Sequence, residues 1–345
     1  MPARLNALAA AVPPYALEQD VVAARAKDLL VANKQIERML PVFANAGISR
    51  RFSAAPLAWF EEPQDWKSRN ALYLEQATNL LEAVALAVLE QANLPRNAVD
   101  ALVVVSTTGI ATPSLDARLI ERLNLRPDVR RLPIFGLGCG GGVQGLSRAA
   151  ELALAHPGSR VLFLVVELCT LQFRRDDTSK SATVATALFG DGAAGALIST
   201  TGDGPIIGPA GEFTWPQSLD VMGWDIEDDG LRALFSASIP SLVRSRLRPV
   251  LDSFLRQHDL SRLQIDQFAC HPGGAKVLDA LEEALELTPG ALVESRQTLR
   301  DYGNMSAATV LFVLSRMPWR DPGRTTLLTA MGPGFTAAFQ LLGGA

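Results

Sequence analysis

Short runs of uninterrupted apolar residues alternate along this chain with segments whose apolar positions recur every three or four residues. ALVVVSTTG (101–109) and RVLFLVVELC (160–169) are apolar on both faces, which predicts buried strands. RRLPIFGLGCGG (130–141) predicts a short strand that ends in glycines. SLDARLIERLNL (114–125) puts Leu115, Leu119, Ile120 and Leu123 on one helical face, with Ser114 as N-cap. VQGLSRAAELALA (143–155) predicts a helix, and ATALFGDGAAGALIS (185–199) predicts two strand halves around a Gly-Asp-Gly turn.

A similar order returns further on. LQIDQFACHPGG (263–274) predicts a strand and a glycine turn, AKVLDALEEALEL (275–287) a helix, and NMSAATVLFVLSRM (304–317) a buried helix. TTLLTAMGPG (325–334) and FTAAFQLLG (335–343) predict strands joined by Gly-Pro-Gly. The pattern is that of two β-α-β halves, 1–200 and 201–345, alike in plan and not in sequence. The N-terminal MPARLNALAAAVPPYA predicts a first strand, because Pro13 and Pro14 break its apolar run too early for a signal peptide. Residues 15–95, with Trp59, Phe60 and Trp66, predict a largely helical layer that serves as a cap or an interface.

Composition narrows the class. At 345 residues and 48% hydrophobic, the chain can bury a large core. A net charge of −4 argues against the strongly basic face that nucleic acid favours. Three cysteines, Cys139, Cys169 and Cys270, make no disulfide framework and fit a reducing cytosol. There is no C-x-x-C, and His156, His258 and His271 are too few for a structural zinc site. No apolar run approaches the ~20 residues of a membrane helix. The expectation is a soluble, cytoplasmic protein with no metal and no transmembrane segment.

The chemistry centres on GLGCGGGVQG (136–145). Gly136, Gly138 and Gly141 fit a dinucleotide-binding loop, and Glu167 at the end of the next strand would then meet the ribose. The same turn would instead present Cys139 as a nucleophile, with glycines clearing its approach. The N-terminus of the following helix would favour thiolate and lower its pKa. A buried structural cysteine is the third reading. His271, after IDQFAC and before PGG, is placed to reach a cleft or to sit at the surface. Asn304 in DYGNMSAATV starts a helix, as an N-cap or with its amide turned into the same cleft. His156 and His258 read as loop and helix-surface residues. No serine occupies a G-x-S-x-G elbow, which disfavours a serine hydrolase.

Five motifs in register, GCGGGVQGLSRA, ALFGDGAAG, CHPGG, YGNMSAA and GPGFT, resemble the type III polyketide synthases, the chalcone-synthase-like enzymes of the thiolase fold. The likeness runs in order across roughly 100–345, with a weaker echo before it. It implies an α/β protein of five layers, αβαβα, that works as a homodimer. It implies an acyl-CoA starter loaded on Cys139 and extended with malonyl-CoA by decarboxylative Claisen condensation. The product would be a tri- or tetraketide pyrone or resorcinol-type compound. CoA thioesters are then the substrates, with no added cofactor.

By the same resemblance, His271 and Asn304 assist decarboxylation and hold the enolate oxygen. Phe189 is an aromatic gate between the CoA tunnel and the cavity. Thr107, Thr108, Ser306 and Gly332, Pro333, Gly334 and Phe335 line or shape that cavity, with Cys169 beside them. Thr112, next to Pro113, lies in a loop that reaches across the dimer, and Arg50 and Arg51 meet CoA phosphates. Ala233 stands where an aromatic residue is usual, which opens room for a long acyl starter such as a fatty acyl-CoA. A thiolate–imidazolium pair of Cys139 and His271 is expected. The initiating ketoacyl-ACP synthases carry the same Cys-His-Asn set and are the alternative. A non-catalytic thiolase-fold partner subunit is a further one, against which the intact triad argues.

Overall fold

The computed structural model describes residues 1–29, 36–175, 177, 179–321 and 323–343. In the first half, β1 (Arg4–Ala11) leads to β2 (Tyr15–Glu18), helices α1 (Gln19–Leu29), α2 (Ile36–Met39) and α3 (Pro41–Ala44), and β3 (Arg50–Ser53). Then come α4 (Trp66–Gln91), β4 (Ala101–Val105), α5 (Leu115–Arg122), β5 (Arg130–Ile134) and α6 (Gly141–Ala155). The half closes with β6 (Val161–Leu168), α7 (Lys180–Leu188) and β7 (Asp191–Ser199). The second half runs β8 (Ile207–Thr214), the hairpin β9 (Met222–Glu227) and β10 (Gly230–Phe235), and α8 (Ile239–Arg256). It continues with β11 (Gln267–Cys270), α9 (Ala275–Ala284), α10 (Val293–Tyr302), α11 (Thr309–Ser315), β12 (Thr326–Gly332) and β13 (Thr336–Leu342).

Two main sheets result, in the orders β1-β7-β6-β4-β5 and β11-β12-β13-β8. β4 pairs in parallel with β5 and β6, and β11 in parallel with β12, whereas β7 runs antiparallel to both β1 and β6. The inner faces of both sheets enclose α6 and α11 in one apolar cluster that includes Leu146, Phe163, Leu311 and Leu328. Helices α4 and α5 cover the outer face of the first sheet, and α8, α9 and α10 that of the second. This is the expected five-layer, thiolase-like α/β arrangement. Packing in the middle is close: a Cβ on Gly142 of α6 would collide with the carbonyl oxygen of Ala307.

Three expectations change. Residues 185–188 are the end of helix α7, not a strand half; Ser179 caps that helix by accepting from the Ala182 N–H at 3.1 Å. Ser114 stands at the N-cap position of α5 but caps nothing. Its hydroxyl accepts from Arg131 at 3.2 Å instead. The long helix within 15–95 is no mere cap. It buries Leu81, Val84 and Val88 against the first sheet, each worth about 1.5–3 kcal/mol of apolar burial. By length and composition α4 reaches the range of a membrane span, but half of that stretch is packed inside the protein.

Candidate active site

The parallel strands deliver their C-terminal ends to one region. β4 leads into Ser106, Thr107 and Thr108; β5 leads to Cys139; β6 ends at Cys169; β11 ends before His271; β12 ends at Gly332. Cys139 sits in the single 3-10 turn Gly138–Gly140, directly ahead of α6. Each glycine there answers a neighbour. A Cβ on Gly138 would come within 2.6 Å of Pro333, and one on Gly332 would strike the carbonyl of Leu137. Thr107 Oγ1 accepts from the Gly138 N–H at 3.1 Å and so fixes the turn. Of the three cysteines only Cys139 keeps partial solvent access.

Asn304 and Ser306 from the second half reach this turn. Asn304 Oδ1 accepts from the Ser306 N–H at 2.8 Å, and its Nδ2 lies 3.4 Å from the Gly273 carbonyl, in the turn that follows His271. The side chains of Ser306 and Asn304 both approach the Cys139 thiol. Ser306 holds φ +45, a left-handed conformation stabilised by that Asn304 hydrogen bond. The His271 N–H donates to Thr329 O at 2.9 Å, which holds His271 beside β12. Its buried imidazole has no hydrogen-bond partner on either nitrogen among the described residues. Asn304 does not occupy the N-cap position of the helix that follows, which Met305 and Ala308 take; its side chain closes a local turn onto the Ser306 N–H.

The electrostatics differ from expectation. Burial pushes the Cys139 thiol up to about 12; Ser306 pulls it back and nearby Glu167 pushes it further. Burial brings His271 down to about 4. Desolvation therefore outweighs the helix N-terminus. Both directions oppose the thiolate–imidazolium pair expected from the sequence. Glu167 is a site residue that sequence reasoning read only as a possible ribose acid. It is fully buried; its Oε2 accepts from the Thr107 N–H at 3.0 Å and from the Thr108 hydroxyl at 2.9 Å. Oε1 faces the Ser306–Ala307 turn, with no partner at bonding geometry among the described residues. Burial pushes this carboxyl up to about 7, against the pull of those donors. The signal was a lone acid inside an otherwise apolar strand.

Phe189 forms an isolated parallel bridge with Asn304. The Asn304 N–H donates to Leu188 O at 2.8 Å and the Gly190 N–H to Asn304 O at 3.0 Å. Its ring packs on Trp224 and Phe235. Phe189, Cys169 and Ala233 form one small apolar cluster. They line a mainly apolar cavity of about 80 Å³ that extends to Phe60 and Phe173. Cys139, His271 and Asn304 are not part of its lining, whereas Phe189 both lines it and bridges to Asn304 through the backbone.

Two expectations fail here. Arg51 is 2% exposed and gives its donors to the carbonyls of Thr186, Ala187 and Phe189, at 2.6, 2.7 and 2.8 Å, and to Gln19. A guanidinium spent this way cannot meet CoA phosphates. Phe335 lies in the core cluster on the outer face of the second sheet, its ring tilted against Trp215, and does not line the cavity. Arg50 stays at the surface, over the ring of Phe52. Gly334 supplies the φ +92 that the turn between β12 and β13 requires. Among the described residues no three His, Cys, Asp or Glu side chains gather as a metal site.

The two-sheet fold, with a cysteine on a strand-to-helix turn and an asparagine brought to it from the other half, defines a thiolase-fold condensing enzyme. The N-terminal domain model of the chalcone and stilbene synthases matches residues 57–202, and the C-terminal domain model matches 209–342. A 1,3,6,8-tetrahydroxynaphthalene synthase of Streptomyces peucetius subsp. caesius is 40% identical, over 96% of this chain and 90% of that protein. A putative chalcone synthase of Bacillus subtilis is 37% identical, over 96% and 95%. The crystal structure of the 1,3,6,8-tetrahydroxynaphthalene synthase of Streptomyces coelicolor A3(2), a bacterial type III polyketide synthase, superposes with a TM-score of 0.93 at 28% identity. That match covers 99% of this chain and all of the other. The chain belongs to the chalcone and stilbene synthase family and is a type III polyketide synthase, a decarboxylating, condensing acyltransferase.

Proposed function

We propose that the enzyme loads an acyl-CoA starter on Cys139 and extends it with malonyl-CoA to a tri- or tetraketide pyrone or resorcinol-type product. Residues 1–200 supply the nucleophile and 201–345 the histidine and asparagine. The observation that carries this reading is the approach of Asn304 and Ser306 to the Cys139 thiol beneath the His271 turn. In loading, Cys139 Sγ bonds to the thioester carbon as the C–S bond to CoA breaks. The thiol proton passes through neutral His271 to the departing CoA sulfur. Malonyl-CoA then loses CO2, and the electron pair moves onto its thioester oxygen. An uncharged His271 N–H and the Asn304 amide are fixed donors for that enolate. The enolate carbon attacks the Cys139 thioester, the carbon–sulfur bond breaks, and the sulfur takes up a proton from solvent by way of His271. CoA thioesters are the substrates, without a further cofactor.

The apolar surface that Phe189, Cys169 and small Ala233 share supports an acyl chain there, and a fatty acyl-CoA is the starter we propose. Arg50, the one of the two arginines still at the surface, is the remaining candidate for CoA phosphate. Three unpaired thiols favour the cytoplasm. The homodimer rests on β5, an edge strand exposed along its length and followed by Phe135 at 60% exposure, with Thr112 in an exposed loop nearby. Sedimentation of Phe135→Glu is expected to show a monomer; an unaltered dimer refutes that interface.

The test of function is a mass-spectrometric assay with a panel of acyl-CoAs. Wild type gains the starter's acyl mass and Cys139→Ala does not. Asn304→Ala still loads but releases CO2 about 10²–10³ more slowly, the usual cost of a lost oxyanion donor. An adduct that persists in Cys139→Ala, or unchanged CO2 release in Asn304→Ala, overturns the assignment.

A further inference from the structure

Arg51 has lost its expected ligand, and its actual partners are particular. Three of its hydrogen bonds end on carbonyls of the last turn of α7 and of Phe189 itself. The fourth reaches Gln19 Oε1, and Gln19 Nε2 in turn donates to Ala187 O at 3.1 Å and Phe43 O at 3.0 Å. On the far side of Phe189, Asp191 is held by the Thr170 N–H and the Ala54 N–H, both at 2.8 Å, and by the Thr170 hydroxyl at 2.5 Å. Asp191 also attracts the Arg51 cation. Residues 186–191 are therefore gripped from both ends, and Gly190 between them leaves no room for a Cβ against Tyr302 O and Arg51. A single-point ammonium could not bridge this set; the planar, multidonor guanidinium does.

We infer that Arg51 is a positioning residue for the Phe189 gate: by clamping the carbonyls of residues 186–189 it holds the aromatic ring in one orientation where the acyl cavity meets the backbone bridge to Asn304. The clamp acts on the condensing step, because the enolate must meet the Cys139 thioester before a proton reaches it. This inference rests on the functional reading above for its consequence, though not for its geometry. A loosened ring lets decarboxylation proceed while the new carbon–carbon bond fails to form.

Two measurements test it. The first is the ratio of CO2 released to carbon–carbon bonds formed, with malonyl-CoA and the best starter. Arg51→Lys, and Gln19→Leu as a second route should Arg51→Lys fail to fold, are expected to raise that ratio roughly tenfold, within what a sub-ångström misplacement brings. Both effects should vanish in a Phe189→Ala background, since a residue acting through Phe189 has nothing left to hold. The second is the 19F NMR line of 4-fluorophenylalanine placed at position 189. A single line in the otherwise native protein should broaden or split in Arg51→Lys. A ratio equal to wild type, an effect that multiplies undiminished with Phe189→Ala, or an unchanged 19F line overturns the clamp. If the wild type forms no acyl-enzyme, the functional reading falls and the 19F line alone decides the clamp.

Discussion

Glu167→Gln isolates the energetic cost of the acid beside the nucleophile. The glutamine oxygen can still accept from the Thr107 N–H and the Thr108 hydroxyl, but the group no longer ionises. Burial holds the native carboxyl at about 7, against an ordinary value of 4.5. The gap corresponds to about 3 kcal/mol at ~1.4 kcal/mol per pH unit. The native state binds this proton more tightly than the unfolded chain. The stabilisation is therefore fully present below about pH 4.5 and is lost as pH rises through about 7. Urea unfolding of both proteins at half-unit steps from about pH 4.5 to 8 reads it directly. His271 and Asp191 also titrate across this range, but they are common to both proteins and drop out of the difference. The variant should gain about 3 kcal/mol on wild type between the two ends of the range. A difference that stays constant with pH refutes the buried, protonated acid.

Two further outcomes follow from packing. Ala233→Phe fills the cavity at its narrow cluster with Phe189 and Cys169. Excluding two or three methylenes at about 0.8 kcal/mol each should raise KM for a long-chain acyl-CoA roughly 30-fold relative to acetyl-CoA. Equal KM changes for both starters would count against a chain-binding cavity. Gly142→Ala drives a methyl group into the Ala307 carbonyl between α6 and the Ser306–Ala308 turn. Overpacking of about 2 kcal/mol should lower Tm by about 3 °C. Calorimetry showing an unchanged Tm would mean that the central layer is looser than described.

The sequence made the architecture and the turns that carry Cys139, His271 and Asn304 readable, because each depends on local patterns. Continuous apolar strands, the glycines around Cys139 and the CHPGG and YGNMS turns all announce themselves within a few residues. Helix α7 did not: Lys180–Leu188 is built of Ala, Thr, Ser and Val with no amphipathic stripe, and its one cue was the Ser179 cap. Arg51 was misread for a different reason. Beside Arg50 it looks like part of a solvated basic pair, and the carbonyls that bury it lie 135 to 138 residues away in the chain. The effect of burial on the Cys139 thiol was equally invisible. The helix start that favours thiolate is a local feature, whereas the burial that opposes it comes from both halves.

Because the sulfur belongs to one half and its imidazole and amide helpers to the other, competence is a property of docking and not of either unit. A nascent chain whose first half has emerged carries the thiol without Asn304, Ser306 or the second sheet around it, and gains that surrounding only when the two sheets close over α6 and α11.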